Sequence, residues 1–175
     1  MTRTVCCKAA KAMAPPLDTT VGGPAANSYC DVAYADAFWQ TRLYADAWTG
    51  ATADQKAAAL VMATRLLDEL PWKGQRIRIG QSLRWPRAGM FDRDGIYILQ
   101  NQMPRVLLDC TAELAGMLLK EDRTEDEGAL GLSMVRIGSL QVNYRPGRIQ
   151  RELPDIIMNK ISHWLNGFSS KLVRC

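Results

Sequence analysis

The stretch that decides the fold is 51-ATADQKAAALVMATRLLDELPWKG-74. Thr52 and Gln55 stand at capping-box spacing, where the threonine oxygen accepts a backbone N–H three residues on and the glutamine side chain reaches back. Beyond them Ala59, Leu60, Ala63, Leu66, Leu67 and Leu70 recur every three or four residues, the apolar stripe of a helix buried on one side. Pro71 cannot continue it. The spacing predicts a helix from Thr52 to Leu70.

Working upstream, Asp31 is a good N-cap for an earlier helix running to about Tyr44, with Val32, Ala35, Phe38 and Trp39 facing the core. A turn containing Trp48, Thr49 and Gly50 joins the two. Residues 1–27 show no periodicity and carry Pro15, Pro16, Gly22, Gly23 and Pro24. They read as a flexible arm that orders only against a partner.

Working downstream, residues 71–100 hold Gly74, Gly80, Gly89 and Pro86 among apolar residues without a period. Arg76 to Ile79 has the look of a short strand, but the segment as a whole reads as a long ordered loop, and such loops usually carry function. Pro104 suits the first turn of a third helix, whose buried face is Val106, Leu107, Cys110, Leu114, Met117 and Leu118. From Met134 to Tyr144 the period changes to two, with Val135, Ile137, Leu140 and Val142 alternating around Gly138-Ser139, which predicts a β-hairpin or extended arm. Pro154 opens a last helix lined by Ile156, Ile157, Ile161, Trp164 and Leu165, and Gly167 is placed to end it.

The expected fold is therefore mainly α, a small bundle of about four helices with a long ordered loop and a β-hairpin or extended arm. The chain divides into an arm (1–27), a helical core (28–125) containing the loop 71–100, an extended segment (126–152) and a C-terminal helix and tail (153–175).

With 22 Lys and Arg against 18 Asp and Glu, the 175-residue chain carries a formal charge of +4, weak for a dedicated duplex-DNA binder. The charge is uneven: Lys73, Arg76, Arg78, Arg84, Arg87 and Arg93 crowd the loop, while Glu121, Asp122, Glu125, Asp126 and Glu127 form an acidic knot. The five cysteines, Cys6, Cys7, Cys30, Cys110 and Cys175, match no metal or redox spacing. They fit synthesis in a reducing cytoplasm. No apolar run approaches a membrane span, so no membrane partner is expected.

Catalytic signatures are missing. There is no phosphate-cradling glycine loop, dinucleotide fingerprint or nucleophile elbow. The single histidine, His163, neighbours Trp164 and reads as a packing or surface residue, since a general base needs an orienting partner. Asp31 with Asp36, and Asp109 with Glu113, are carboxylate pairs on which nothing else converges; the second pair has ordinary solvated-face spacing. No enzyme activity, metal or cofactor is expected.

The most distinctive stretch is Pro71-Trp72-Lys73-Gly74 followed by Leu83-Arg84-Trp85-Pro86-Arg87. In one reading Trp72 and Trp85 pin the loop onto the helices. In the other, Trp and Arg make an intersubunit or single-strand contact, because interfaces and base-stacking platforms favour both. The candidate interface residues are Trp72, Arg76, Arg84, Trp85, Arg87 and Arg93, with Tyr144, Arg145, Arg148, Trp164, Lys171 and Arg174 from the later segment.

Taken in order, several pieces resemble a family encoded among the head genes of tailed phages. They are Tyr29, Val32 and Ala35-Asp36-Ala37-Phe38; Trp48; Lys56 to Leu60; Ala63-Thr64-Arg65; and Leu67-Asp68. In the loop and beyond they are Trp72-Lys73-Gly74; Leu83 to Arg87 with Gly89; Asp92 to Gly95; Pro104; Glu113-Leu114-Ala115; and Ile137 to Leu140 with Val142 and Tyr144. The resemblance covers about residues 28–165 and is to the head-tail connector, or adaptor, subunits. Sequences of this kind also carry the description "DnaT-like single-stranded-DNA-binding protein".

The resemblance implies a structural subunit in the virion neck, made in the host cytoplasm. It implies a closed ring of about twelve copies with head-to-tail interfaces. Its partners would be the portal protein, a tail or tail-completion protein, and the genomic double-stranded DNA passing through the channel without sequence-specific contact. Residues from about Arg145 to Cys175 would face the portal. The alternative is a single-stranded-DNA-binding replication accessory protein.

Overall fold

The computed structural model describes residues 16–121, 134–137, 140–143 and 153–167. Among these residues are five helices and two short antiparallel strand pairs: α1 Val32–Gln40, α2 Asp46–Thr49, α3 Ala53–Asp68, β1 Gln75–Arg76, β2 Arg87–Ala88, α4 Arg105–Leu118, β3 Met134–Ile137, β4 Leu140–Asn143 and α5 Asp155–Ile161. A single 3-10 turn, Ser162–Trp164, follows α5. Among these residues no helix is long and apolar enough to cross a membrane.

The helix starts follow the sequence closely. Asp31 caps α1 by accepting the Tyr34 N–H at 2.7 Å. Thr52 and Gln55 close both halves of the capping box on α3, at 3.3 and 2.9 Å. α1 is shorter than expected: Thr41 donates through both its N–H and its hydroxyl to the Phe38 carbonyl, closing the helix at Gln40. The chain then passes Tyr44, at φ +60°, into the one-turn α2, which the sequence read as a turn.

Helix α4 is the centre of the bundle. It packs on α1, α3 and α5, and Leu107, Cys110, Thr111, Ala112, Glu113, Leu114, Ala115 and Gly116 are all buried along it. The expected stripe is therefore too narrow. Small residues at Ala112, Ala115 and Gly116 let neighbours approach on further sides, while Val106, assigned to the core, is exposed. On α5, Ile157 and Ile161 are buried and Ile156 faces out.

Of the arm expected over 1–27, residues 16–27 lie on their own chain's loop, and residues 1–15 fall outside the described residues. Ser82 donates its N–H to Gly23 O at 3.2 Å and its hydroxyl to Ala26 O at 2.6 Å. Asn27 clamps the segment internally through Asp18 N–H and Pro16 O, both at 2.9 Å. Where the segment meets α1, the buried Tyr29 hydroxyl donates to Asp68, whose carboxylate also takes the Arg84 N–H at 2.7 Å. Burial, then the Asp68 charge, pushes the Tyr29 phenol well above its ordinary pKa. This knot joins the start of the fold, the end of α3 and the loop.

The late period-two segment forms the expected hairpin, β3 antiparallel to β4 with Val135 opposite Val142. In the loop, β1 pairs with β2 in the register Gln75–Ala88 and Arg76–Arg87, so the strand seen at Arg76–Ile79 is two residues long and starts one earlier.

Candidate functional site

Loop 71–100 has a buried side and an open side, and the side chains divide sharply between them. On the buried side Trp72 and Trp85 meet edge to face with centroids 5.5 Å apart, and Trp85 tilts against Trp164 at 5.3 Å. Trp72 Nε1 donates to Leu67 O at 2.9 Å, and Trp164 Nε1 to Phe91 O at 2.8 Å. All three indoles are buried. They pin the loop to α3 and to the C-terminal turn, so as the chain is folded they offer no face to a base or a neighbour. The Trp85–Pro86 peptide is cis.

Arg87 belongs to the same frame. Its guanidinium donates to the carbonyls of Lys73 (2.5 Å), Gly74 (2.8 Å) and Arg84 (3.2 Å), with a longer approach to Trp72 O at 3.4 Å. A planar fork of five donors can gather carbonyls that no other side chain could satisfy together. Burial, then the charges of Arg84 and Arg76, lowers its pKa. The sequence placed Trp72, Trp85, Trp164 and Arg87 among interface candidates; the folded chain uses all four for packing.

The open side carries Arg76, Arg78, Arg84 and Arg93 together with Ile79, Phe91, Ile96, Tyr97 and Leu99, all exposed. Among the described residues the acid–base ion pairs involve Arg42, Lys56, Arg105 and Lys160, none of them in this loop. Arg93 is partly engaged: it donates to Asn159 O and lies 3.5 Å from His163 Nδ1. Phe91 and Tyr97 flank a tight reversal, joined by an antiparallel bridge with their rings 5.5 Å apart. Asp92 holds that reversal by accepting the N–H groups of Asp94 (2.9 Å) and Ile96 (2.8 Å), and Gly95 supplies the left-handed residue at φ +81°. This aromatic pair was not singled out from sequence. Its signal was the turn Asp92-Arg93-Asp94-Gly95 bracketed by Phe91 and Tyr97.

Between this reversal and the C-terminal turn runs a groove of about 780 Å³, lined by Lys73, Gly89 to Arg93 excepting none, and Ser162 to Gly167. Lys73 Nζ donates to His163 O at 2.8 Å across one end. His163 rests on Trp164 at 4.6 Å. Its pKa is lowered by partial burial first and then by the Arg93 and Lys73 charges, against a smaller opposing effect of Asp92.

The acidic groups considered as catalytic pairs hold structure together. Asp36 accepts Trp48 Nε1 at 2.7 Å and Lys56 Nζ at 2.8 Å. Asp109 accepts the Tyr34 hydroxyl at 2.6 Å. Glu113 corrects the solvated-face reading outright: it is buried on α4 and takes Arg42 at 2.7 Å and Lys160 at 2.5 Å on its two oxygens. The reason is that α4 is covered on more sides than its leucine spacing indicated. Cys30 and Cys110 are buried thiols, each pushed up to about 12 mainly by burial. No cluster of three or more potential metal ligands occurs among the described residues. Tyr144, Arg145, Arg148, Lys171 and Arg174 lie outside those residues.

Comparison with known proteins gives one family. The family model described as "Putative DnaT-like ssDNA binding protein" matches residues 15–175, nearly the whole chain, and the chain belongs to that family. No curated protein and no solved structure matches it.

Proposed function

From that membership as premise, we propose that the protein catalyses no reaction and binds single-stranded DNA on the open side of loop 71–100. Besides the family's description, one observation carries the reading. The guanidinium groups of Arg76, Arg78 and Arg84 stand exposed without an ion pair to an acid among the described residues, and Arg76 and Arg84 lie near enough to Arg87 to lower its pKa. Like charges held together repel, and a polyanion relieves that repulsion while releasing its own counterions.

The test is fluorescence anisotropy of full-length protein with labelled oligo-dT across a salt series. The expected result is binding that weakens as salt rises, with a log–log slope reduced by about 2 when Arg76, Arg78 and Arg84 are all changed to Gln. No binding at low salt removes the reading.

A second reading, the adaptor subunit of a phage neck, is favoured by a different observation. Ile79, Phe91, Ile96 and Leu99 are exposed on the same loop. Large apolar side chains left exposed suit a protein interface. The tryptophans best suited to stack on bases are, moreover, enclosed. In that reading copies of the chain close a ring in the virion neck, dock on the portal protein, receive the tail and surround the genomic DNA. Mixing the protein with tail-less, DNA-filled heads tests it: co-sedimentation with the heads supports the adaptor, and failure to bind heads with an exposed portal sinks it.

A further inference from the structure

Building on the single-stranded-DNA reading, we infer that the groove between Gly89–Arg93 and Ser162–Gly167 is a nucleotide subsite. In it Lys73 and Arg93 hold a phosphodiester while Phe91 stacks a base.

Three features of the groove carry this assignment. The first is the position of its cations. Lys73 gives one of its three ammonium donors to His163 O, and Arg93 gives part of its fork to Asn159 O and His163 Nδ1. Both side chains remain exposed with donors to spare. Because these internal bonds already restrict the two long side chains, less rotamer freedom is lost when they meet a phosphate.

The second is that the single carboxylate of the lining is engaged in its own turn. The groove's one carboxylate, Asp92, accepts the N–H groups of Asp94 and Ile96, within its own turn. Against that one carboxylate the lining sets two exposed cations, Lys73 and Arg93.

The third is the aromatic ring. Phe91 is 53% exposed, yet both its ring and its backbone are held. Tyr97 packs edge-on against the ring, and Trp164 Nε1 holds the Phe91 carbonyl. A half-exposed ring braced by a neighbour is suited to base stacking, which is indifferent to base identity. The groove is a trough and not an enclosed chamber, so a strand can lie along it. An acidic peptide could use the two cations but would gain little from the flat ring.

The experiment compares a labelled oligo-dT with an abasic oligomer of the same length, using full-length protein at low salt. The wild type should prefer the oligomer with bases. Phe91→Leu keeps the apolar volume and removes the aromatic face, so it should abolish that preference and weaken oligo-dT binding about 5- to 150-fold. Lys73→Gln should weaken both oligomers alike. Thermal unfolding of each variant checks that the fold survives. As a measurement free of substitution, ultraviolet cross-linking of a 5-bromo-deoxyuridine oligomer to the wild type should map to the peptide containing Phe91.

If the wild type binds but Phe91→Leu and Lys73→Gln bind equally well, or the cross-link maps elsewhere, the subsite is overturned while the single-strand reading stands. If a polyglutamate peptide competes as well as oligo-dT, the groove is an acidic-peptide site and the assignment is wrong. If the wild type binds no DNA at low salt, the reading and the subsite fall together.

Discussion

A β-carbon on Gly116 would lie 2.1 Å from Cζ2 of Trp39, so the bare face of that glycine is the seat of the indole. Trp39 also donates Nε1 to Ala112 O at 3.0 Å, one turn earlier on α4. The α1–α4 contact is thus set by a missing side chain and a ring that fills its place.

Gly116→Ala is the direct test of that contact. Alanine gains about 1 kcal/mol of helix propensity over glycine, but the buried ring has little room to retreat and overpacking costs about 1–3 kcal/mol. The expected outcome is a lower denaturant midpoint with unchanged slope. A higher midpoint would show that the indole moves freely.

Glu113→Ala should be among the most damaging single changes. It leaves Arg42 and Lys160 facing the site of a buried carboxylate. Breaking a buried pair costs about 3–5 kcal/mol, and the lower end applies because both cations are about one-third exposed. Urea unfolding monitored by circular dichroism measures it; a loss under about 1 kcal/mol contradicts the buried-pair assignment.

The packed pair Trp85 and Trp164 should respond differently to Phe. Trp85 Nε1 is buried with no acceptor, whereas Trp164 Nε1 serves Phe91 O. Trp164→Phe therefore loses a hydrogen bond worth about 1 kcal/mol that Trp85→Phe does not. Thermal melts of the pair of variants should rank Trp164→Phe as the less stable.

Asp36 gives a pH signature. Its carboxyl sits below the ordinary value of 3.8, chiefly through the Lys56 hydrogen bond. A depressed folded pKa means its stabilisation is present above the unfolded value and fades as pH falls through the folded one. The stability gap between wild type and Asp36→Asn should therefore be open near neutrality and narrow below pH 3.8. A gap independent of pH would mean that the charge contributes nothing.

How much of this was legible beforehand differs by element. Thr52, Gln55 and the leucine stripe specified α3 because capping and amphipathicity are local, and Asp31 and Pro104 marked helix starts for the same reason. The burial of Glu113 was not legible: it depends on Arg42 and Lys160 arriving from α1's exit and from α5, far along the chain. The same holds for the loop. Its composition distinguished it from the helices, but nothing local to Trp72, Trp85 or Arg87 reveals which side of the loop faces inward. That is decided by Trp164 and by carbonyls gathered from four residues. Phe91 and Tyr97 become a pair only through the bridge that the Asp92–Gly95 reversal closes, which their own spacing does not reveal.

The grip of the C-terminal turn on the loop has a consequence for the order of events at the ribosome. Lys73 to His163 and Asn166 to Trp72 span 90 and 94 residues, so the loop's inner side has no floor until the last described segment has been made. Helices α3 and α4 can dock early, since their contacts are nearer in sequence and local contacts form fastest. The proposed DNA-binding surface would then mature only after Gly167 has been made, so a nascent chain with α1, α3 and α4 already docked would still lack a finished groove.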